Sequence, residues 1–319
     1  MKLLNDYLKQ NFGCKVYKIA LNGGFTCPNR DGKIDTRGCI FCSQGGSGEF
    51  AENPNLSVYN QIENAKKRVS AKIKEGKYIA YFQAYTGTYA PIARLKNLYM
   101  DALDHPDIVA LSIATRPDCL PDDVLELLSK CNEIKPVWVE LGLQTIHENT
   151  AKYIRRGYEL KVYDEAVQKL RKRGIEVITH VILGLPGENE KDMLETISYV
   201  CGLSGATHSS LYHATGIKLQ LLHILKGTDL ETEYKEGRLT PLTEDEYISL
   251  LKKCVSIIPD DVVIHRLTGD GDKKILLAPL WSADKKHVWN RIQKEVIQAS
   301  YRISAFSYQP HRLSQRQRG

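Results

Sequence analysis

The chain has 319 residues, with 42% hydrophobic and 26% charged side chains and a formal net charge of +6. That length buries a sizeable core, as one large α/β domain or two small ones, and no apolar run is long enough to span a bilayer. The modest basic excess fits an anionic ligand or RNA, and equally a solvated basic surface.

The N-terminus, MKLLNDYLKQNFG, lacks an apolar core followed by a small-residue cleavage site, so no signal peptide is expected and the chain reads as cytoplasmic. In that compartment its eight cysteines are thiols or metal ligands rather than a disulfide framework. Cys14, Cys119, Cys131, Cys201 and Cys254 lie among apolar neighbours and read as small buried hydrophobes.

In chain order, strand-like apolar runs occupy 15–23, 77–85, 108–115, 136–144, 175–184, 216–224 and 261–267. Helical patterns such as PIARLKNLYMDAL, PDDVLELLSKC and YDEAVQKLRKRG lie between them. The second has a Pro-Asp-Asp start suited to a helix N-terminus. Near-continuous apolar strands alternating with helices predict a parallel sheet covered by helices. About six such units predict a partial (β/α)6-type TIM barrel, with an α/β extension over about 230–299. Residues 300–319 form a polar, basic tail, expected to be frayed.

Chemistry in parallel barrels gathers where strands end, and polar residues fall there. Gln83, Thr86 and Thr88 follow the second run; Thr115, Arg116 and Asp118 follow the third; Glu140 and Gln144 end the fourth. His180 lies within the fifth, with Gly184, Pro186, Gly187 and Glu188 after it; His223, Lys226 and Thr228 end the sixth, and His265, Arg266 and Asp270 the seventh.

The loop after the first run, GGFTCPNRDGKIDTRGCIFCSQGGSGEF, carries Cys39 and Cys42 as C-x-x-C, with Cys27 eleven intervening residues upstream. Zinc is one reading, although structural zinc usually takes four protein ligands. A lone redox C-x-x-C leaves Cys27 unexplained. A 4Fe–4S cluster uses all three thiolates and leaves one iron open for chemistry. Phe41, inside the C-x-x-C, suits shielding of a cluster from water, and the glycines that follow let the backbone wrap closely.

From about residue 10 to 295 the chain resembles the radical S-adenosylmethionine (SAM) superfamily, and within it a bacterial family close to the Elongator catalytic-subunit-like group. The segments CPNRDG…GCIFCS, YFQAYTGTYAP, SIATRPDCLPDD, WVELGLQT, HVILGLPGE, GIKLQLLHILKGT and VVIHRLTGDG carry the resemblance. The widespread superfamily pattern has three residues between the first two cysteines, so here a longer loop holds the cluster. The resemblance implies that Cys27, Cys39 and Cys42 bind a 4Fe–4S cluster whose open iron takes the amino and carboxylate groups of SAM. The reduced cluster then cleaves SAM, and the 5′-deoxyadenosyl radical abstracts hydrogen from substrate. It also implies a flavodoxin- or ferredoxin-type electron donor.

By the same resemblance, Gln83, Thr86 and Thr88 face the SAM amino group and Arg116 its carboxylate. Glu140 faces the ribose or sulfonium, and Ile182 and Gly184 the adenine. Arg116 paired with Asp118, and Glu140 as a structural barrel acid, are the plainer alternatives. Substrate candidates are His180, His223, Lys226, His265, Arg266 and Asp270. The group is associated with modified nucleobases, mainly in tRNA. Two substrates follow: the C5 side chain of wobble uridine in tRNA, or free queuine cut by a lyase to an aminomethyl-deazaguanine. The segment 201–218, with His208, Tyr212 and His213, intervenes before the sixth run. It reads as a surface insertion or as a wall for a compact heterocycle, the latter favouring the small free base. A non-catalytic iron–sulfur electron carrier is the reading from another class.

Overall fold

Each apolar run becomes a strand because it is rich in β-branched and aromatic side chains and is covered on its outer face by a helix. The computed structural model describes residues 1–71, 75–203, 213–269 and 271–298. Its strands are β1 (Lys2–Leu3), β2 (Val16–Leu21), β3 (Lys77–Phe82), β4 (Ile108–Thr115), β5 (Val137–Gln144), β6 (Glu176–Leu183), β7 (Gly216–Leu221), β8 (Ile224–Leu225), β9 (Val263–Arg266) and β10 (Leu276–Ala278). The main sheet has eight strands in the order β1-β9-β7-β6-β5-β4-β3-β2, paired in parallel throughout. Because β1 and β2 lie at opposite edges, it is a curled, partial barrel.

Two features depart from the sequence reading. The two-residue β1, too short to show a period, pairs with Val263 and Ile264. The run over 216–224 divides at Leu222, and its end becomes β8, which forms an antiparallel pair with β10.

The helices start on local signals. They are α1 (Leu4–Phe12), α2 (Val58–Val69), α3 (Ile92–Asp104), α4 (Asp122–Ile134), α5 (Glu148–Tyr153), α6 (Leu160–Arg171), α7 (Glu190–Val200), α8 (Asp229–Lys235), α9 (Glu244–Ile257) and α10 (Lys285–Arg291). Asn189 with Asp192, and Thr243 with Glu246, form capping boxes at α7 and α9, each satisfying amides that the helix leaves without partners. Ser57 caps α2 through Asn60.

Alternation along the strands sorts the two sheet faces. Ile19, Leu21, Ala80, Phe82, Leu111, Ile113, Val139, Leu141 and Val177 enter the large core shared with the helices. The opposite, concave face begins with a dry layer of Val16, Ile79, Ala110, Trp138 and Ile178, against which Leu8 of α1 packs. Two residues further along each strand come Lys18, Tyr81, Ser112, Glu140, His180 and Lys218. The fold thus sets a polar layer on a hydrophobic plug, and the loop after β2 rises over both.

Candidate active site

Cys27, Cys39 and Cys42 are half-buried and line a cavity of about 240 Å³ at the C-terminal ends of the strands. Backbone bonds shape their loop: Arg30 N donates to Cys27 O at 2.7 Å, Gly38 N to Asn29 O at 2.7 Å, and Cys42 N to Cys39 O at 3.0 Å. The Arg30 guanidinium clamps the carbonyls of Cys42 and Ser43 at 2.8 and 2.6 Å. Asn29 Nδ2 donates to Arg155 O at 2.7 Å and to Cys39 Sγ at 3.5 Å. Gly46 has φ +60°, and a Cβ there would meet the Tyr85 ring at 2.4 Å; glycine alone allows this approach.

The donor set fits an iron–sulfur cluster. Burial pushes the Cys39 thiol up to about 12, with Cys42 adding to the rise and Arg116 opposing it. Burial also raises Cys42, against Arg30. Metal ligation is what holds such buried sulfurs as thiolates. Arg30 and Arg116 stand ready to offset the negative charge of a cluster on three thiolates.

Gln83, Thr86, Arg116, Glu140 and Ile182 line the same cavity, as do His180, His223 and Arg266. Gln83 donates to Ser47 O at 2.8 Å and so fastens the cysteine loop to β3. Arg116 grips Asp118 with two bonds at 2.9 and 2.8 Å, and its Nη1 donates to Arg156 O at 2.9 Å. Burial opposes its charge, but the Asp118 bonds outweigh burial and raise its pKa.

Glu140 differs from the expectation of a ribose or sulfonium contact, because its oxygens are occupied by protein. Oε1 accepts from Lys18 at 2.5 Å and Ser112 at 2.7 Å; Oε2 accepts from His180 Nε2 at 2.7 Å and from Lys218. Gln220 meets His180 Nδ1 at 3.1 Å. Burial pushes the Glu140 carboxyl up, but Lys18, Lys218 and His180 hold it well below the usual range. Burial, with Lys218, lowers His180 to about 4 despite Glu140. The alternative of a buried barrel acid describes Glu140 better.

Other expected residues lie elsewhere. Thr88 Oγ1 is buried between Thr115 Oγ1 at 2.5 Å and Cys119 O at 2.6 Å, and lines a separate outer cavity of about 800 Å³. Gly184 (φ +89°) turns the chain beside Leu242, and its N–H points at Met193 Sδ at 3.1 Å. His265 stacks edge-on to Trp138 at 5.4 Å, below the polar layer. Lys226 is exposed, and its amide donates to Ile275 O at 2.8 Å. His213 pairs with Asp261 at 3.6 Å, at the N-terminal ends of β7 and β9. The described flanks of 204–212 therefore lie at the end of the sheet opposite the cysteines. His208, Tyr212 and Asp270 lie outside the described residues, as does the tail over 300–319.

Lys18, Ser112, Lys218 and Gln220 escaped the sequence reading, which concentrated on strand ends. For Lys18 and Lys218 the signal was a lysine inside an apolar run, KVYKIALNG and GIKLQLL.

A partial parallel barrel whose mouth is closed by a three-cysteine loop defines a cluster-bearing α/β enzyme. Comparison with known proteins sharpens this. Residues 36–200 match the radical SAM superfamily, and 214–298 match the Radical_SAM C-terminal domain. The Bacillus subtilis protein YtqA is 47% identical over 293 residues, covering 92% of this chain and 88% of YtqA. A Methanocaldococcus jannaschii tRNA uridine(34) acetyltransferase is 28% identical over 165 residues, 51% of this chain and 28% of that protein. Among solved structures, Methanocaldococcus infernus Elp3 superposes with a TM-score of 0.63 at 19% identity, covering 88% of this chain and 63% of that one; it shows the same fold. The chain belongs to the radical SAM superfamily, whose enzymes use a 4Fe–4S cluster and SAM. No helix among the described residues is long and apolar enough to cross a membrane.

Proposed function

We propose that the enzyme is a lyase of the queuine type, acting in the cytoplasm on the free base and releasing an aminomethyl-deazaguanine for queuosine salvage. The observation that carries this reading is the polar layer under the cysteine loop. Glu140 and Lys218 line a cavity of about 240 Å³, and Lys18 pairs with Glu140 from behind, so that a carboxylate lies between two ammonium groups. A deazaguanine edge offers a ring carbonyl to an ammonium and ring N–H groups to a carboxylate. Glu140 meets such an edge by exchanging one of its present donors for it.

The cluster and SAM, when bound, supply the one-electron chemistry that removes a hydrogen atom from substrate. Cys27, Cys39 and Cys42 hold the cluster. Gln83 and Thr86 border the SAM amino group, Arg116 its carboxylate, and Ile182 gives an apolar wall for the adenine. Phe41 and the dry plug below limit water on either side of the reacting atoms. Electrons come from a flavodoxin- or ferredoxin-type donor.

A tRNA substrate, modified at the C5 side chain of wobble uridine, is the second reading. It is favoured by the named activity of the M. jannaschii relative and by the +6 charge. It requires the target base to leave its stack and enter the barrel, at an unstacking cost of a few kcal/mol.

The test is anaerobic turnover of the reconstituted, reduced enzyme with SAM, offered queuine and, separately, bulk bacterial tRNA, with products read by mass spectrometry. An aminomethyl-deazaguanine from queuine alone supports the lyase. A mass change confined to tRNA nucleosides overturns it in favour of the second reading.

A further inference from the structure

The cavity floor carries more positive charge than its carboxylate balances. Lys18 and Lys218 arrive from opposite sides, on β2 and β7, and both pair with Glu140. Their side chains are 16% and 5% exposed, and that of Glu140 is fully buried. Neither lysine has a second carboxylate partner among the described residues. Among the described residues, the other groups that act on the two lysines do not supply the missing charge. Tyr81 and Ser112 are neutral; burial keeps His180 and His265 neutral; Arg266 adds another positive field felt by both lysines.

Among the described residues, Lys218, which lines the cavity, has a proton to spare, while Lys18 also lies over the Tyr81 and Trp138 rings at 4.8 and 5.1 Å. Lys218 donates to Glu140 and, at 3.4 Å, to Tyr81 Oη; Lys18 donates to Glu140 and, at 3.2 Å, to Ser112 Oγ. An ammonium has three donors. A second buried cation without a counter-charge costs several kcal/mol, an arrangement suited to a ligand that brings the missing charge.

We propose that this floor is a subsite for an anionic oxygen of the substrate, with Lys218, which lines the cavity, as donor and Glu140 holding Lys18 behind it. The proposal rests on the cavity being the substrate chamber. Two sources supply such an oxygen: a carboxylate on the substrate, or the ionised ring lactam of a deazaguanine. The carboxylate of SAM is a third source, removed by saturating the protein with SAM beforehand.

The two sources differ in proton balance. Burial lowers the Lys218 ammonium to about 7, helped by Lys18 and Arg266 and opposed by Glu140. An arriving anion favours the charged ammonium. Above neutral pH a carboxylate therefore draws a proton from the buffer. A lactam instead transfers its own ring proton to the floor, with no net uptake.

The experiment is calorimetric titration of the cluster-loaded, SAM-saturated, unreduced protein at roughly pH 8 with acetate and, separately, 7-deazaguanine. Each titration is run in two buffers of different ionisation heat. Saturable binding of acetate with proton uptake, or of 7-deazaguanine without it, supports the subsite and identifies the source. Lys218→Met then weakens binding by about 10- to 100-fold, the range for a lost charge-assisted hydrogen bond. Lys218→Gln, which keeps a polar group beside Glu140 but no charge, carries the same expectation if Lys218→Met does not fold. Absence of binding by both probes, or binding to a folded lysine variant within about twofold of wild type, well below that range, overturns the proposal. Probe binding without queuine cleavage overturns the lyase and leaves the subsite standing. Queuine cleavage unchanged by Lys218→Met does the reverse.

Discussion

The rim and the floor of one cavity are built in opposite ways. At the rim, three cysteines within 16 residues are held by a loop whose own Arg30 gathers the Cys42 and Ser43 carbonyls and whose Asn29 donates to Cys39 Sγ. At and beneath the floor, Lys18, Ser112, Glu140, His180 and Lys218 come from five strands and meet only because the pairing and tilt of the strands bring them together. The rim is local in sequence and selects a cofactor. The floor is distributed and, on the reading proposed above, meets the substrate. In the same superfamily, a rim can therefore stay recognisable while the floor is rebuilt residue by residue for another substrate.

The sharpest break between the two comes from removing the cysteines. Cys27→Ala, Cys39→Ala and Cys42→Ala each abolish SAM cleavage, and iron analysis shows the cluster lost while the floor stays intact. Unchanged iron in the triple variant would withdraw the assignment. Glu140→Ala has the converse effect. It leaves two ammonium groups buried without a carboxylate and destabilises the fold by about 3–5 kcal/mol, read from denaturant midpoints.

Acid should act on the floor before the rim. His180 is lowered by burial to about 4 from an ordinary 6.5. Over that window the unfolded chain binds the extra proton, so stability falls as pH drops from about 6.5 to 4. His180→Gln flattens that part of a pH–stability curve; an unchanged slope assigns it to another group.

Smaller effects refine the rim. Arg116→Ala weakens SAM binding about tenfold, as expected for a lost charge-assisted contact, with iron content unchanged. Equal SAM affinity would leave Arg116 as the partner of Asp118 alone. Asn29→Ala removes the N–H that points at Cys39 Sγ and lowers the cluster potential, because hydrogen bonds to cluster sulfurs favour the reduced form. A redox titration by electron paramagnetic resonance reads a shift on the order of tens of millivolts. The smallest effect belongs to 204–212: shortening it spares turnover, since its described flanks lie far down the sheet from the cysteines. Lost turnover with retained folding would support the substrate-wall reading.

Seven of the eight strands of the sheet were legible because buried parallel strands have to be apolar almost throughout, and β1 was not because two residues carry no period. The cysteine loop was legible because cluster ligands close in sequence leave their spacing as a signature. Thr88 and Lys226 show the limit of strand-end reasoning: proximity to a strand end does not say whether a side chain faces the cavity, a helix or solvent.

By itself, then, the amino-acid sequence determined the parallel α/β architecture, the cluster-binding loop and the superfamily, all of which depend on local pattern. Tertiary structure alone decided that Glu140 would be saturated by Lys18, Ser112, His180 and Lys218, and that two buried ammonium groups would face one carboxylate. Those contacts join residues up to 122 positions apart, and only the register and curvature of the sheet bring them within hydrogen-bonding distance.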